Sequence, residues 1–84
     1  MDNNKSLTVE ETFKIAVKKH QEGKTDIAQE YYNQVLKINS NHLPTLSNLG
    51  VIFGQLGENQ KAISCYEKAI EINPNYIDAY NNLG

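Results

Sequence analysis

The sequence predicts an all-α fold, on three observations. Residues recur at a fixed offset of 34 along the 84-residue chain. Each period holds two amphipathic stretches with apolar residues three and four apart, bounded by capping or helix-breaking residues. No stretch alternates apolar and polar with a period of two, so strands are not expected.

The offset holds over much of the chain. Leu49 and Leu83, Gly50 and Gly84, and Asn48 and Asn82 are 34 apart. So are Gly23 and Gly57, Ala28 and Ala62, Tyr32 and Tyr66, Leu36 and Ile70, and Asn39 and Asn73. A period of this length is the mark of a repeat built from one supersecondary unit, stacked on copies of itself.

Each helix has its own signals. Thr8-Val9-Glu10-Glu11 reads as a capping box, in which Thr8 and Glu11 satisfy each other's backbone amides. Phe13, Ile15, Ala16 and Val17 follow, and Gly23 stands where a left-handed residue closes a helix. Thr25 is expected to cap the second helix, which carries Ile27, Ala28, Tyr31, Tyr32, Val35, Leu36 and Ile38 until Asn39-Ser40-Asn41 ends it. Pro44 fits the first turn of a third helix with Leu46, Leu49, Gly50, Ile52 and Phe53, stopping at Gly57. Asn59 is expected to cap the fourth, with Ala62, Ile63, Tyr66, Ala69, Ile70 and Ile72 on its apolar stripe. Asn73-Pro74-Asn75 breaks the chain before Ile77 opens a fifth helix. Connections of a few residues make neighbouring helices antiparallel.

Composition narrows the function. Ten acidic residues against eight lysines leave a net charge of −2, too balanced for a nucleic-acid or anionic-membrane surface. With no arginine, the chain lacks the best bidentate clamp for phosphate or carboxylate. The single cysteine excludes an internal disulfide and fits a reducing compartment. No secretory signal and no membrane-length apolar run is visible, so a cytoplasmic module is expected. His20 and His42 have no Cys or carboxylate partner at ligand spacing; they read as surface histidines, and neither a metal nor a cofactor is expected. Cys65 is the one candidate nucleophile, but it falls mid-helix beside the core position of Tyr66, where a small hydrophobe is the better reading. The glycines belong to caps and packing, not to a phosphate loop. The chain therefore reads as no enzyme.

Leu46-x2-Leu49-Gly50-x2-Phe53, Ala62-x3-Tyr66 and Pro74 together resemble the tetratricopeptide repeat. The resemblance covers residues 9 to 84. It divides the chain into a lead at 1–7, a degenerate repeat at 8–42, a second repeat at 43–76, and the opening of a third at 77–84. It implies a right-handed solenoid of antiparallel helix pairs. Gly50 and Ala62 let the two helices of a pair approach, and Tyr32 and Tyr66 fill the space between successive pairs. The first repeat departs from the pattern: Thr12, Ala16, Lys19 and Ser40 stand where a bulky residue, Gly, an aromatic and Pro are usual. A terminal repeat with a more polar outer face accounts for this, with Lys19 laying its stem along the helix and its amine in water.

The resemblance also implies a binding groove, lined by the first helix of each pair. Its positions fall on Glu10, Phe13, Lys14, Val17 and Gln21, then on Ser47, Asn48, Val51 and Gln55, then on Asp78, Asn81 and Asn82. Asn48 and Asn82 share one register, similar to the asparagine ladder of the O-linked N-acetylglucosamine transferases. An amide both donates and accepts, so such a ladder holds an extended backbone without reading its sequence. The family's clamp for acidic C-terminal tails fits poorly, since Phe13, Val17, Asp78 and Asn82 stand where Lys, Asn and cations are needed and only Asn48 matches. The expected function is a protein-interaction module for an extended peptide or protein partner. The alternative of another class is the substrate-recruiting region of a larger enzyme, such as a glycosyltransferase or sulfotransferase. A third repeat without its second helix would leave Tyr80 and Leu83 uncovered, so self-association through the C-terminal end is expected.

Overall fold

The structure, a computed structural model, describes residues 7–76. Four helices run in order: α1 (Val9–Gln21), α2 (Thr25–Ile38), α3 (Leu43–Gln55) and α4 (Asn59–Ile72). No strand occurs among the described residues. The fifth helix expected from Ile77 lies outside them. The chain divides into two compact units, Met1–Asn39 and Ser40–Gly84. Within the first, α1 packs on α2; within the second, α3 packs on α4.

Thr8 caps α1 as expected. Its hydroxyl accepts from the Glu11 amide at 3.0 Å, and Glu11 Oε1 accepts from the Thr8 amide at 2.9 Å. Thr8→Ala removes the hydroxyl half of this box, and the cost of such a cap is about 1 kcal/mol. A lowered thermal midpoint is the expected result; an unchanged one would mean that the box contributes nothing to the pair.

Both helix pairs turn by the same device. Gly23 (φ +80°) and Gly57 (φ +79°) adopt the left-handed conformation that only glycine takes without strain. The Gly23 amide donates to His20 O at 3.0 Å and the Lys24 amide to Lys19 O at 2.9 Å. The second turn repeats this, from Gly57 to Gly54 O at 3.1 Å and from Glu58 to Phe53 O at 2.8 Å. These are the two bonds of a Schellman motif, which satisfies the last carbonyls of a helix.

The motif corrects two expected caps. Thr25 and Asn59 are already the first helical residues of α2 and α4, and the cap positions fall to Lys24 and Glu58, with no side-chain cap bond. The residue whose amide closes one helix is also the residue that opens the next, so the turn leaves no place for a separate capping side chain. Pro44 sits in the first turn of α3 as expected. After α4, Asn73 Oδ1 accepts from the Asn75 amide at 3.0 Å, forming the turn that Asn73-Pro74-Asn75 announces.

In the first unit the core holds Ala16, Ala28, Tyr32 and Val35, all fully buried. Thr12 joins them, its hydroxyl donating to Thr8 O at 2.8 Å, which explains why a small polar residue is accepted there. In the second unit Leu46, Leu49, Ile52, Ala62, Tyr66 and Ala69 are buried. The expected close approach at Gly50 is present: a Cβ there would lie 2.5 Å from Cε1 and Cζ of Tyr66. Within its own pair, Tyr66 packs on Gly50, and Tyr32 lies against Phe13 and His20.

Candidate functional site

Each unit carries its share of the expected groove on its first helix. On α1, Phe13, Val17 and Gln21 are four apart and so share one side. Phe13 and Val17 are half-buried, while Lys14 and Gln21 are exposed. Phe13 is held by the Tyr32 ring, with centroids 6.0 Å apart and planes tilted by 51°. On α3, Asn48, Val51 and Gln55 fall on one stripe, the first two half-buried and Gln55 exposed. Ser47, four residues before Val51 and the counterpart of Phe13, falls on the same side, but only 5% of it is exposed. Asp78, Asn81 and Asn82 lie outside the described residues.

The two stripes differ in charge. α1 carries Glu10, Glu11, Lys14, Lys18 and Lys19, whereas α3 carries no charged residue along its whole length. The charges at the end of α1 serve the turn. Glu22 meets Lys24 at 3.5 Å and Lys19 at 3.7 Å. Desolvation pulls its carboxyl upward, but Lys19, Lys24 and Lys18 together hold it below the usual carboxylate range. Lys19 therefore keeps its amine at the surface, in a pair rather than in water alone.

Between α3 and α4 an open cleft of roughly 470 Å³ is lined by Gly50, Val51, Gly54, Gln55, Ile63 and Tyr66, among others. Val51 and Gln55 were expected to face a ligand. Gly54 and Ile63 were not, although the spacing Gly50-x3-Gly54 placed two residues without a side chain on one face of α3. Tyr66 forms the inner wall, and desolvation together with Cys65 raises its hydroxyl further above neutrality. The cleft is therefore uncharged.

Cys65 is half-buried, and burial pushes its thiol up, away from the thiolate that nucleophilic chemistry needs. The histidines are more engaged than surface positions. His20 meets the Tyr32 ring edge-on at 6.4 Å, and His42 Nδ1 lies 2.8 Å from the Thr45 hydroxyl, which is itself buried. Among the described residues no group of three or more His, Cys, Asp or Glu side chains could hold a metal ion. Among them, too, no helix is long and apolar enough to cross a membrane. What these surfaces offer is hydrogen-bonding amides beside apolar contact area.

Two helix pairs of one pattern, each closed by the same glycine turn, define an all-α helical-repeat protein. Descriptions of the tetratricopeptide repeat match residues 44–76 and residues 14–42, one on each pair. The chain belongs to the tetratricopeptide-repeat family, whose members serve as scaffolds for protein–protein interaction. Among solved structures it is similar to the crystal structure of MamA, with 25% identity and a TM-score of 0.86 over 90% of this chain. It spans 44% of the length of that chain. Comparison with curated proteins gave no match.

Proposed function

We propose that this chain binds an extended segment of a partner protein along the faces that α1 and α3 present. On this reading the repeats span residues 8–42 and 43–76, a third opens at 77–84, and the setting is the cytoplasm, where a lone cysteine stays reduced. The observation that carries the reading is the α3 stripe. Asn48, half-buried, stands with Val51 and Gln55 on a helix without a single charge. Such a face offers amide groups to a peptide backbone and apolar contact to its side chains, and it rewards no particular charge pattern.

The experiment is a binding series with extended peptides of unrelated sequence. Replacing Asn48 and its 34-residue counterpart Asn82 by Ala is expected to weaken all of them alike. Each lost hydrogen bond is worth about 0.5–1.5 kcal/mol, or roughly 2- to 13-fold in affinity. Unchanged affinity in the double variant would remove the amides from the function.

A second element of the proposal is self-association through the C-terminal end, where Tyr80 and Leu83 of the opening third repeat would otherwise lack a partner helix.

A further inference from the structure

The charges of α1 fall into two groups. Glu11 is held in the Thr8 capping box, and Lys19 shares Glu22 with Lys24. Glu10 lies in the first turn, where the positive end of the helix dipole suits a carboxylate. Lys14 and Lys18 have no such role. Both are exposed, and among the described residues neither forms an ion pair. Glu22 feels Lys18 only after Lys19 and Lys24.

The two amines stand one turn apart, and like charges four residues apart on a helix repel. A carboxylate placed between them relieves that repulsion, since each of its oxygens can accept from one ammonium. Phe13 and Val17 lie beside the pair, half-buried, so the patch joins apolar contact area to two cations. α3 keeps the register without the charge: the counterparts of Lys14 and Lys18 are Asn48 and the buried Ile52. Charge recognition therefore belongs to the first repeat.

The chain as a whole is negative, with ten acidic residues against eight lysines, so its overall field disfavours an acidic ligand. A preference for one must come from a local patch.

We infer that the segment bound along α1 is acidic as well as apolar, with a side-chain carboxylate between Lys14 and Lys18 and an apolar side chain on Phe13 and Val17. The inference rests on the peptide binding proposed above and adds the chemistry that the first repeat selects. Glu10, four residues before Lys14, keeps the carboxylate toward the Lys18 side.

Calorimetric titration of the chain with three extended peptides tests this. They share one host sequence, acetylated and amidated, with a central Leu flanked by Asp, by Asn or by Lys. The Asp peptide is expected to bind tightest and the Lys peptide weakest. The Asp peptide should exceed the Asn peptide by about twofold to fivefold at low salt, the scale of an exposed ion pair. At about 1 M salt the screening length falls to about 3 Å, and the ratio should approach one. In the double variant Lys14→Gln, Lys18→Gln the ratio is expected to reach one at low salt as well, and in Lys14→Glu, Lys18→Glu the order is expected to reverse. Both positions are exposed, so parental helicity is expected, and the Gln pair alone suffices if the Glu pair loses it. A chain that binds none of the three peptides overturns the proposed binding and this inference together. Equal affinity for all three, or tightest binding of the Lys peptide, overturns the inference and leaves the proposed binding standing. So does an acidic preference that persists in the Gln variant, since the cations that recognise the segment would then lie elsewhere.

Discussion

Tyr32→Ala is expected to unfold the first helix pair. Tyr32 is fully buried, and its ring is the surface on which Phe13 and His20 of α1 rest, so removing it empties the middle of the α1–α2 contact. Replacing a buried aromatic by alanine costs about 3–5 kcal/mol, from lost transfer energy and from the cavity left behind. Whole domains are stable by only about 5–15 kcal/mol, and small ones bury less surface to draw on. Thermal melting followed by far-ultraviolet circular dichroism should show roughly half the helical signal lost at low temperature. A melting curve unchanged from the parent would mean that Phe13 and the α1 stripe are positioned by something other than this ring. Tyr66→Ala should be milder in its effect on packing, since Tyr66 already borders an open cleft.

Gly50→Ala and Gly54→Ala should move stability in opposite directions, although they make the same chemical change four residues apart in one helix. At Gly54 nothing stands in the way of a Cβ, and alanine is favoured over glycine in a helix by about 0.8–1 kcal/mol. A stabilisation of that order is expected in dilute solution. At Gly50 the same gain is set against a methyl group 2.5 Å from the ring of Tyr66, a side chain with only 5% exposure and little room to retreat. Overpacking of this kind costs about 1–3 kcal/mol, so the net effect is expected to be destabilising. Ala16 and Tyr32 coexist, both fully buried, at the corresponding positions of the first pair, so the destabilisation at Gly50 comes from this pair's packing and not from the repeat itself. Denaturant midpoints of the two variants check this. Two shifts of the same sign would show that helix propensity outweighs packing at Gly50.

The helices themselves were legible because each is specified locally. The T-x-x-E box at Thr8, the glycines at 23 and 57, and Pro44 all act within a turn of where they stand, and the 34-residue offset confirms the two glycines as a pair. The caps at Thr25 and Asn59 were misplaced for an equally local reason. A Thr or Asn after glycine looks like a cap, but the amides of Lys24 and Glu58 are committed to closing the preceding helix, and the new helix starts one residue sooner. The groove was legible as a register rather than as a surface. Register placed Val51 and Gln55 on the exposed side of α3 but also admitted Ser47, whose burial depends on packing that spacing does not encode. The histidines fared similarly: nothing near His20 in sequence announces Tyr32, twelve residues on and in the next helix.

The measurement that bears most directly on binding at the first helices of the pairs is an amide chemical-shift titration with extended peptides of unrelated sequence. Binding as proposed predicts shifts gathered at Phe13, Val17, Asn48, Val51 and Gln55, the same set for each peptide. Shifts confined to the exposed sides of α2 and α4, at positions such as Asn33 and Ser64, or a different set for every peptide, would contradict it.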